Sequence, residues 1–269
     1  MVAQLVHLGR PQDALALYEQ ALRTYQNLGD VRNTSMTQSA IANVLSKMGR
    51  PHKALELYKQ VLHTVQTLND MQGIAVTQQA MADVLGELGR PQEALVLYEQ
   101  ALLTLQILDD WHNLAITQHT MANLLEDVGR PQEALALYEQ ALHIQHGLGD
   151  VRKVAIIQGN LSQLLFKQGE HKQALAMAWQ AYTSLSQNDL LHDAQELKKV
   201  LISMKKRVRG TAQFDALWEQ VNEEPQPDWL RNVVAGSSFV LARMSSKELA
   251  VAVAKGLVES QYVVPGVFF

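Results

Sequence analysis

A segment of 40 residues that recurs along the chain constrains the fold more than any other feature of the sequence. The tripeptide Gly-Arg-Pro begins at Gly9, Gly49, Gly89 and Gly129, and a Gly-Glu-His version begins at Gly169, so every step is 40 residues. Each repeat of such an array buries its apolar face only against neighbouring repeats. The sequence therefore predicts a solenoid of stacked units.

Each unit has the pattern of two helices joined by a tight turn. In the unit from Asp70 to Leu108, Asp70 can cap the first helix by accepting hydrogen bonds from its free N–H groups. Gly89 can end that helix in the left-handed conformation, and Pro91 can begin the second helix, where a missing N–H costs nothing. The equivalent capping aspartates are Asp30, Asp110 and Asp150. A short turn makes the two helices antiparallel neighbours.

These positions resemble the tetratricopeptide repeat. That family has a turn glycine followed by a small residue, an aromatic residue and another small residue, here Gly89, Ala94, Tyr98 and Ala101. The same pattern occurs at Gly129, Ala134, Tyr138 and Ala141, and at Gly49, Ala54 and Tyr58 with Val61 as the last member. The resemblance implies that the alanines allow close approach of helices and that the tyrosines, including Tyr18, pack in the core.

Two departures indicate a particular variant of the repeat. The period is 40 residues rather than 34, and the family's early tryptophan is replaced by glutamine. The glutamines are Gln38, Gln78, Gln118 and Gln158. This form resembles the long-helix repeats of kinesin light chains, cell-polarity adaptors and bacterial signalling proteins. Because adjacent units lie about 10 Å apart, we expect each glutamine to bond backbone at its own inter-unit loop.

The predicted fold is all-α, a right-handed superhelical solenoid of antiparallel helix pairs. Residues 1–208 form the solenoid and begin with half a unit, which suggests a longer native protein or a late start. Residues 209–224 provide a capping helix from Thr211 to Val221, preceded by a helix from Asn188 to Arg207 with polar lysines such as Lys205. Residues 225–269 form a linker, helical segments at 229–243 and 245–258, and an apolar tail.

The composition excludes several classes of function. The formal net charge of −4 provides no basic surface for nucleic acid, and the absence of cysteine removes thiolate metal sites and a cysteine nucleophile. No secretory signal or run of about 18 apolar residues is present, so we expect a cytoplasmic protein that does not bind membranes.

His143 and His146 have metal-ligand spacing but no third ligand, and we interpret them as surface residues. We predict no enzymatic activity, cofactor or metal.

The resemblance places the functional surface on the inner, concave face of the first helices. Alignment from the turn glycines gives three columns of candidate residues for a peptide-binding groove. The candidates are Asn43, Asp83, Asn123 and Gln163, then Gln79 and His119, and then Glu87, Glu126 and Asp127. Asparagine in the first column resembles family members that clamp a peptide backbone. The carboxylates favour basic or neutral partners, because their summed potential repels acidic peptides.

The leading functional hypothesis is a protein–protein interaction scaffold that binds a peptide or a partner helix in this groove. One alternative is a regulatory or sensor module of a larger signalling protein, such as one with a caspase-like protease. Another is a self-assembling array. We also predict a homodimer through the solenoid ends, because Leu15 and Leu22 of the first long helix lack part of their usual cover.

Overall fold

The computed structural model describes residues 2–208, 211–222 and 225–231. These residues form thirteen helices and no strand. In chain order the helices are α1 (Val2–His7), α2 (Pro11–Asn27), α3 (Val31–Lys47), α4 (Pro51–Thr67), α5 (Met71–Glu87), α6 (Pro91–Ile107), α7 (Trp111–Asp127), α8 (Pro131–Leu148), α9 (Val151–Gln168), α10 (His171–Gln187), α11 (Leu191–Arg207), α12 (Thr211–Val221) and α13 (Asp228–Arg231). The all-α prediction is confirmed.

Helix boundaries follow the predicted capping residues. The Asp70 carboxylate accepts a hydrogen bond of 2.9 Å from the backbone N–H of Gly73, and Asp30, Asp110 and Asp150 accept the equivalent bond. Backbone and side-chain hydrogen bonds from Asn33 hold the pKa of Asp30 below its usual value. At the opposite end of α5, Gly89 has a φ of 70°, in the left-handed region that glycine occupies without strain.

The chain divides into two compact units, Met1–Ile157 and Gln158–Phe269, the second of which is described as far as Arg231. In the first unit consecutive helices pack against each other, and α3, α5 and α7 also lie side by side. We call α3, α5 and α7 the first helices of their repeats, and α4, α6 and α8 the second helices.

The core of the first unit is built from alanine and tyrosine, as the repeat pattern predicts. Ala94, Ala101 and Ala134 are fully buried, and Tyr58, Tyr98 and Tyr138 are almost completely buried. Tyr18 of α2 is only half-buried. Ala75, Ala101, Leu105 and Leu114 form one compact cluster that spans α5, α6 and α7. Small residues thus allow the helices to approach each other, and the tyrosines fill the remaining space.

The prediction for the repeated glutamines is wrong. Gln78 Nε2 donates to Gln100 Oε1 at 2.8 Å, so its partner is a side chain of the second helix and not the loop backbone. Gln118 pairs with Gln140 in the same way, and Gln158 pairs with Gln180. Gln78 lies eleven residues before Gly89 and Gln100 eleven residues after it. In an antiparallel hairpin, positions equally distant from the turn face each other, which explains the pairing.

The second unit contains a buried lysine that sequence reasoning placed on a polar outer face. Lys205 is only 1% exposed, and its Nζ donates to Gln226 Oε1 at 2.8 Å and to the backbone carbonyl of Leu230 at 2.9 Å. Gln226 in turn donates to Asp215 of α12. Burial holds the pKa of Lys205 below its usual value. These bonds attach the residues around α13 to α11, because a buried ammonium group needs hydrogen-bond acceptors.

The helix predicted from Thr211 to Val221 is confirmed, and the one predicted from Asn188 begins at Leu191. Most of the predicted helix at 229–243, all of the one at 245–258 and the apolar tail lie outside the described residues. Within the described part of the chain, no helix has the length and apolar character that crossing a bilayer would require.

Candidate peptide-binding surface

Residues about 40 positions apart meet across the first helices. Ser46 of α3 donates to Glu87 Oε2 of α5 at 2.5 Å, and Thr117 of α7 donates to Gln79 Oε1 of α5 at 2.9 Å. These contacts hold neighbouring first helices together within one or two residues of the repeat register. We call the solvent-accessible side of α3, α5 and α7 that carries Asn43, Asp83 and Asn123 the open face.

Tyrosine hydroxyls from the second helices hold two of the predicted residues on the open face. The Tyr98 hydroxyl donates to Asp83 Oδ1, and the Tyr138 hydroxyl donates to Asn123 Oδ1 at 2.6 Å. Tyr138 also reaches Glu126 Oε2 at 3.3 Å. Sequence reasoning treated the tyrosines only as packing residues. The missed signal was the constant separation of 15 residues between each tyrosine and its polar partner.

Asp83 is the most perturbed ionisable group on the open face. Burial raises its pKa to about 6, the negative charge of Glu87 adds to this effect, and the hydrogen bond from Tyr98 opposes it. Burial and the Asp83 charge also raise the pKa values of Tyr58 and Tyr98. Asp83 therefore lies within the electrostatic range of tyrosines from two second helices, and it is ionised only above a pH of about 6.

His119 occupies the second predicted column beside Tyr138. The two ring centroids are 5.9 Å apart, and the side chain of His119 is half-buried. Burial lowers the pKa of His119, because it disfavours the charged imidazolium. Its neighbour in the row, Gln79, is half-buried and bonded to Thr117.

Exposure divides the predicted residues into two groups. Asn43, Glu87 and Asp127 are exposed, whereas Asp83, Asn123 and Glu126 are half-buried. All of these lie in the first unit. Gln163 lies in the second unit, where it is exposed and lines a small cleft with Phe166, Lys167, Val200, Ser203, Met204 and Arg207. The open face of the first unit is thus rich in carboxylates at the C-terminal ends of α5 and α7.

Sequence reasoning missed a recurring apolar position, which falls on the open face in α3, α5 and α7 and has its equivalent in α9. Met36, Val76 and Ile156 are 61%, 42% and 38% exposed, and Ile116 is half-buried. They lie seven residues before Asn43, Asp83, Gln163 and Asn123, respectively, which is two helical turns on the same side of the helix. We call these four residues the apolar row. The signal in the sequence was an apolar residue at the same position of four successive repeats.

The other candidate sites of the sequence have ordinary surroundings. His143 and His146 are exposed on α8, and among the described residues no three histidine, aspartate or glutamate side chains are grouped to hold a metal. The turn arginines Arg90 and Arg130 each form an exposed ion pair with a glutamate three residues later.

The fold and the open face define an α-helical repeat array. A sequence profile described as the tetratricopeptide repeat matches residues 1–64, 73–145 and 113–187. The chain therefore belongs to the tetratricopeptide repeat family, whose fold is typical of protein–protein interaction scaffolds. A search of curated protein sequences finds no significant match.

Solved structures agree with this fold. BtubC (BKLC) from P. vanneervenii is 22% identical with a TM-score of 0.62, over 70% of this chain and 78% of that chain. A putative kinesin light chain of Podosopora anserina, described as having nearly identical TPR-like repeats, shares 20% sequence identity with this chain. The TM-score is 0.57, and the match covers 70% of this chain and 92% of that chain. The apo form of the quorum sensor NprR from B. thuringiensis is 16% identical with a TM-score of 0.63, over 95% of this chain and 73% of that chain. At these identities the similarity concerns the fold alone.

Proposed function

We propose that this chain is a non-enzymatic interaction module that binds a peptide or a partner helix on the open face of its first helices. The main support is the set of polar side chains that tyrosine hydroxyls hold in fixed positions on an accessible surface. Fixed side chains lose little entropy when a partner binds, so they favour specific recognition. The carboxylates of Asp83, Glu87, Glu126 and Asp127 make that partner basic or neutral along this part of the surface.

Reversing the exposed charges of the open face tests this proposal. The double variant Glu87→Lys, Asp127→Lys changes two exposed side chains and is expected to fold normally. The matched control is Glu99→Lys, Glu139→Lys, which makes the same change at exposed positions of the second helices. We expect that proteins captured from the source lysate by the wild-type chain and by the control are lost from the open-face variant in quantitative mass spectrometry. Equal capture by all three chains would contradict the proposal.

We further propose that the chain forms a homodimer through the α2 end of the first unit. Tyr18 is half-buried, whereas the equivalent Tyr58, Tyr98 and Tyr138 are buried; beside it Leu15 is half-buried and Leu17 is exposed. A second copy would supply the missing cover, since repeats bury their apolar faces against neighbours.

Light scattering over a dilution series tests the dimer. The chain has a mass of 30.0 kDa, and we expect twice this mass at low micromolar concentration. The substitution Leu15→Asp should return the mass to that of the monomer, whereas Leu103→Asp, at an exposed position of α6, should leave the dimer intact. A monomer mass at every concentration would show that α2 needs no partner.

A further inference from the structure

The apolar row is an accessible hydrophobic surface inside the proposed binding site. Its members come from four successive repeats, and the side-by-side packing of α3, α5 and α7 makes three of them neighbours. Single exposed apolar residues are common on protein surfaces, but an apolar side chain that is exposed or half-buried at the same position of four successive repeats indicates contact with a partner. Two features beside the row indicate what kind of partner fits it.

The first feature is that several polar side chains beside the row already form a hydrogen bond within the chain. An extended peptide needs hydrogen bonds for its own backbone N–H and C=O groups, whereas an α-helix satisfies these groups internally. Ser39 donates to the carbonyl of Ser35, Gln79 accepts from Thr117, Asp83 accepts from Tyr98, and Asn123 accepts from Tyr138. A partner that brings a satisfied backbone suits this surface better than one that needs backbone acceptors.

The second feature is the segregation of charge on the two sides of the row. One turn before the row, Arg32 and Arg152 project from α3 and α9, and both are exposed. About three turns after the row, Glu87, Glu126 and Asp127 form an acidic side on α5 and α7, whereas α3 carries the exposed Lys47 at the equivalent position. A partner that lies along the row therefore meets negative charge on one flank where it crosses α5 and α7.

We propose that the open face binds an amphipathic α-helix that lies along the apolar row, with an apolar residue at every seventh position and basic residues on its flank toward Glu87 and Glu126. Packed helices lie about 8–10 Å apart, and seven residues of a helix rise about 10.5 Å, so residues at that spacing meet successive members of the row. This inference rests on the proposed function and specifies its partner.

Two phage-displayed peptide libraries, selected against the full chain, test this inference. One library presents peptides of about 25 residues on a helix-forming frame, long enough for four apolar contacts. The other has the same composition with a proline roughly every two turns, which prevents a continuous helix. We expect enrichment from the helical library alone, with apolar residues seven positions apart and lysine or arginine on one flank.

Enriched peptides are then titrated by fluorescence anisotropy against variants of the chain. Met36→Ser, Val76→Ser removes two exposed members of the row, and we expect about tenfold or greater weakening from the lost apolar burial. The control Val96→Ser lies on α6, is 52% exposed and should leave the affinity within about twofold.

Different outcomes separate this inference from the function on which it rests. Enrichment from the proline library, or peptides weakened by Glu87→Lys, Asp127→Lys but not by Met36→Ser, Val76→Ser, would overturn the helical partner and leave the proposed function standing. Peptides that respond to neither pair of variants, or the absence of enrichment from both libraries, would overturn both proposals.

Discussion

Replacing Gln145 with leucine is expected to raise the free energy of unfolding by about 2–3 kcal/mol. Gln145 is completely buried in α8, and neither its Oε1 nor its Nε2 has a hydrogen-bond partner among the residues that the structure describes. An unsatisfied buried polar group costs about 1–3 kcal/mol, and leucine removes two such groups while adding apolar contact. The direction of the effect follows from the chain's own repeats, because the equivalent positions carry Val65, Leu105 and Leu185, all buried.

The surroundings of Gln145 are ready to receive an apolar side chain. Leu105 packs in a cluster with Ala75, Ala101 and Leu114, and the corresponding residues around Gln145 are also buried. They are Ala115, Ala141 and Val154. Leucine is close to glutamine in volume, so the substitution should fit without large shifts in packing.

Urea unfolding followed by circular dichroism measures the change. Because repeat arrays can unfold in stages, midpoints should be compared with a nearest-neighbour analysis and not with a two-state fit alone. The reverse exchange, Leu105→Gln, provides the control and should lower stability by at least about 3 kcal/mol, since it creates a buried unpaired amide and removes apolar packing. An unchanged midpoint for Gln145→Leu would mean that a buried water satisfies the amide.

Sequence periodicity predicted most of the fold for a physical reason. The 40-residue repeat, the capping aspartates and the turn glycines are local signals, and each determines where a helix begins or ends without reference to the rest of the chain. The core alanines and tyrosines could also be predicted, because their spacing reflects direct contact between two adjacent helices.

Contacts between specific side chains were harder to predict. Gln78 was predicted to bond a loop because only the distance between adjacent repeats was considered. The prediction ignored that positions equally distant from Gly89 face each other within one repeat, which places Gln100 beside Gln78. Lys205 was placed on the surface because a lysine is rarely buried, and its acceptors, Gln226 and Leu230, lie more than 20 residues away. Such pairings depend on the packed structure, which a local pattern does not specify.

The open face could be predicted from the sequence only in part. Its columns were predicted from the repeat register, yet the hydroxyl bonds that fix Asp83 and Asn123 depend on where Tyr98 and Tyr138 enter from the second helices. The apolar row was visible in the sequence as Met36, Val76, Ile116 and Ile156. Its importance could be judged only from exposure, because an apolar residue on a helix is usually assigned to the core.

Replacing Asp83 with asparagine is expected to stabilise the chain by about 2 kcal/mol at pH 8 and to have almost no effect near pH 4. Burial raises the pKa of Asp83 from 3.8 to about 6 in the folded chain. Between these two values the folded state binds more protons than the unfolded state, so stability falls as pH rises through this window and stays reduced above it. The full increase in the pKa of Asp83 corresponds to at most about 3 kcal/mol in the free energy of unfolding, and partial exposure of the side chain reduces this effect.

Asparagine should keep the local structure of the open face. In the next repeat Asn123 occupies the equivalent position and accepts the same hydrogen bond from Tyr138 at 2.6 Å. The reciprocal variant Asn123→Asp provides the control. It should lower stability above a pH of about 6 and introduce a new pH dependence below it, because it places a second carboxylate beside Glu126.

Stability and partner binding should change in opposite directions in Asp83→Asn. The folded chain keeps a carboxylate where adjacent repeats keep an amide, and this carboxylate destabilises the fold at neutral pH. Such a cost is expected where a charge serves binding, since natural proteins accept strain at functional positions. We therefore expect Asp83→Asn to weaken the binding of a basic helical peptide several-fold at pH 8 and to have little effect on it near pH 5. Urea midpoints and anisotropy titrations at both pH values provide the test, and equal affinities of wild type and variant at pH 8 would show that Asp83 does not contact the partner's charge.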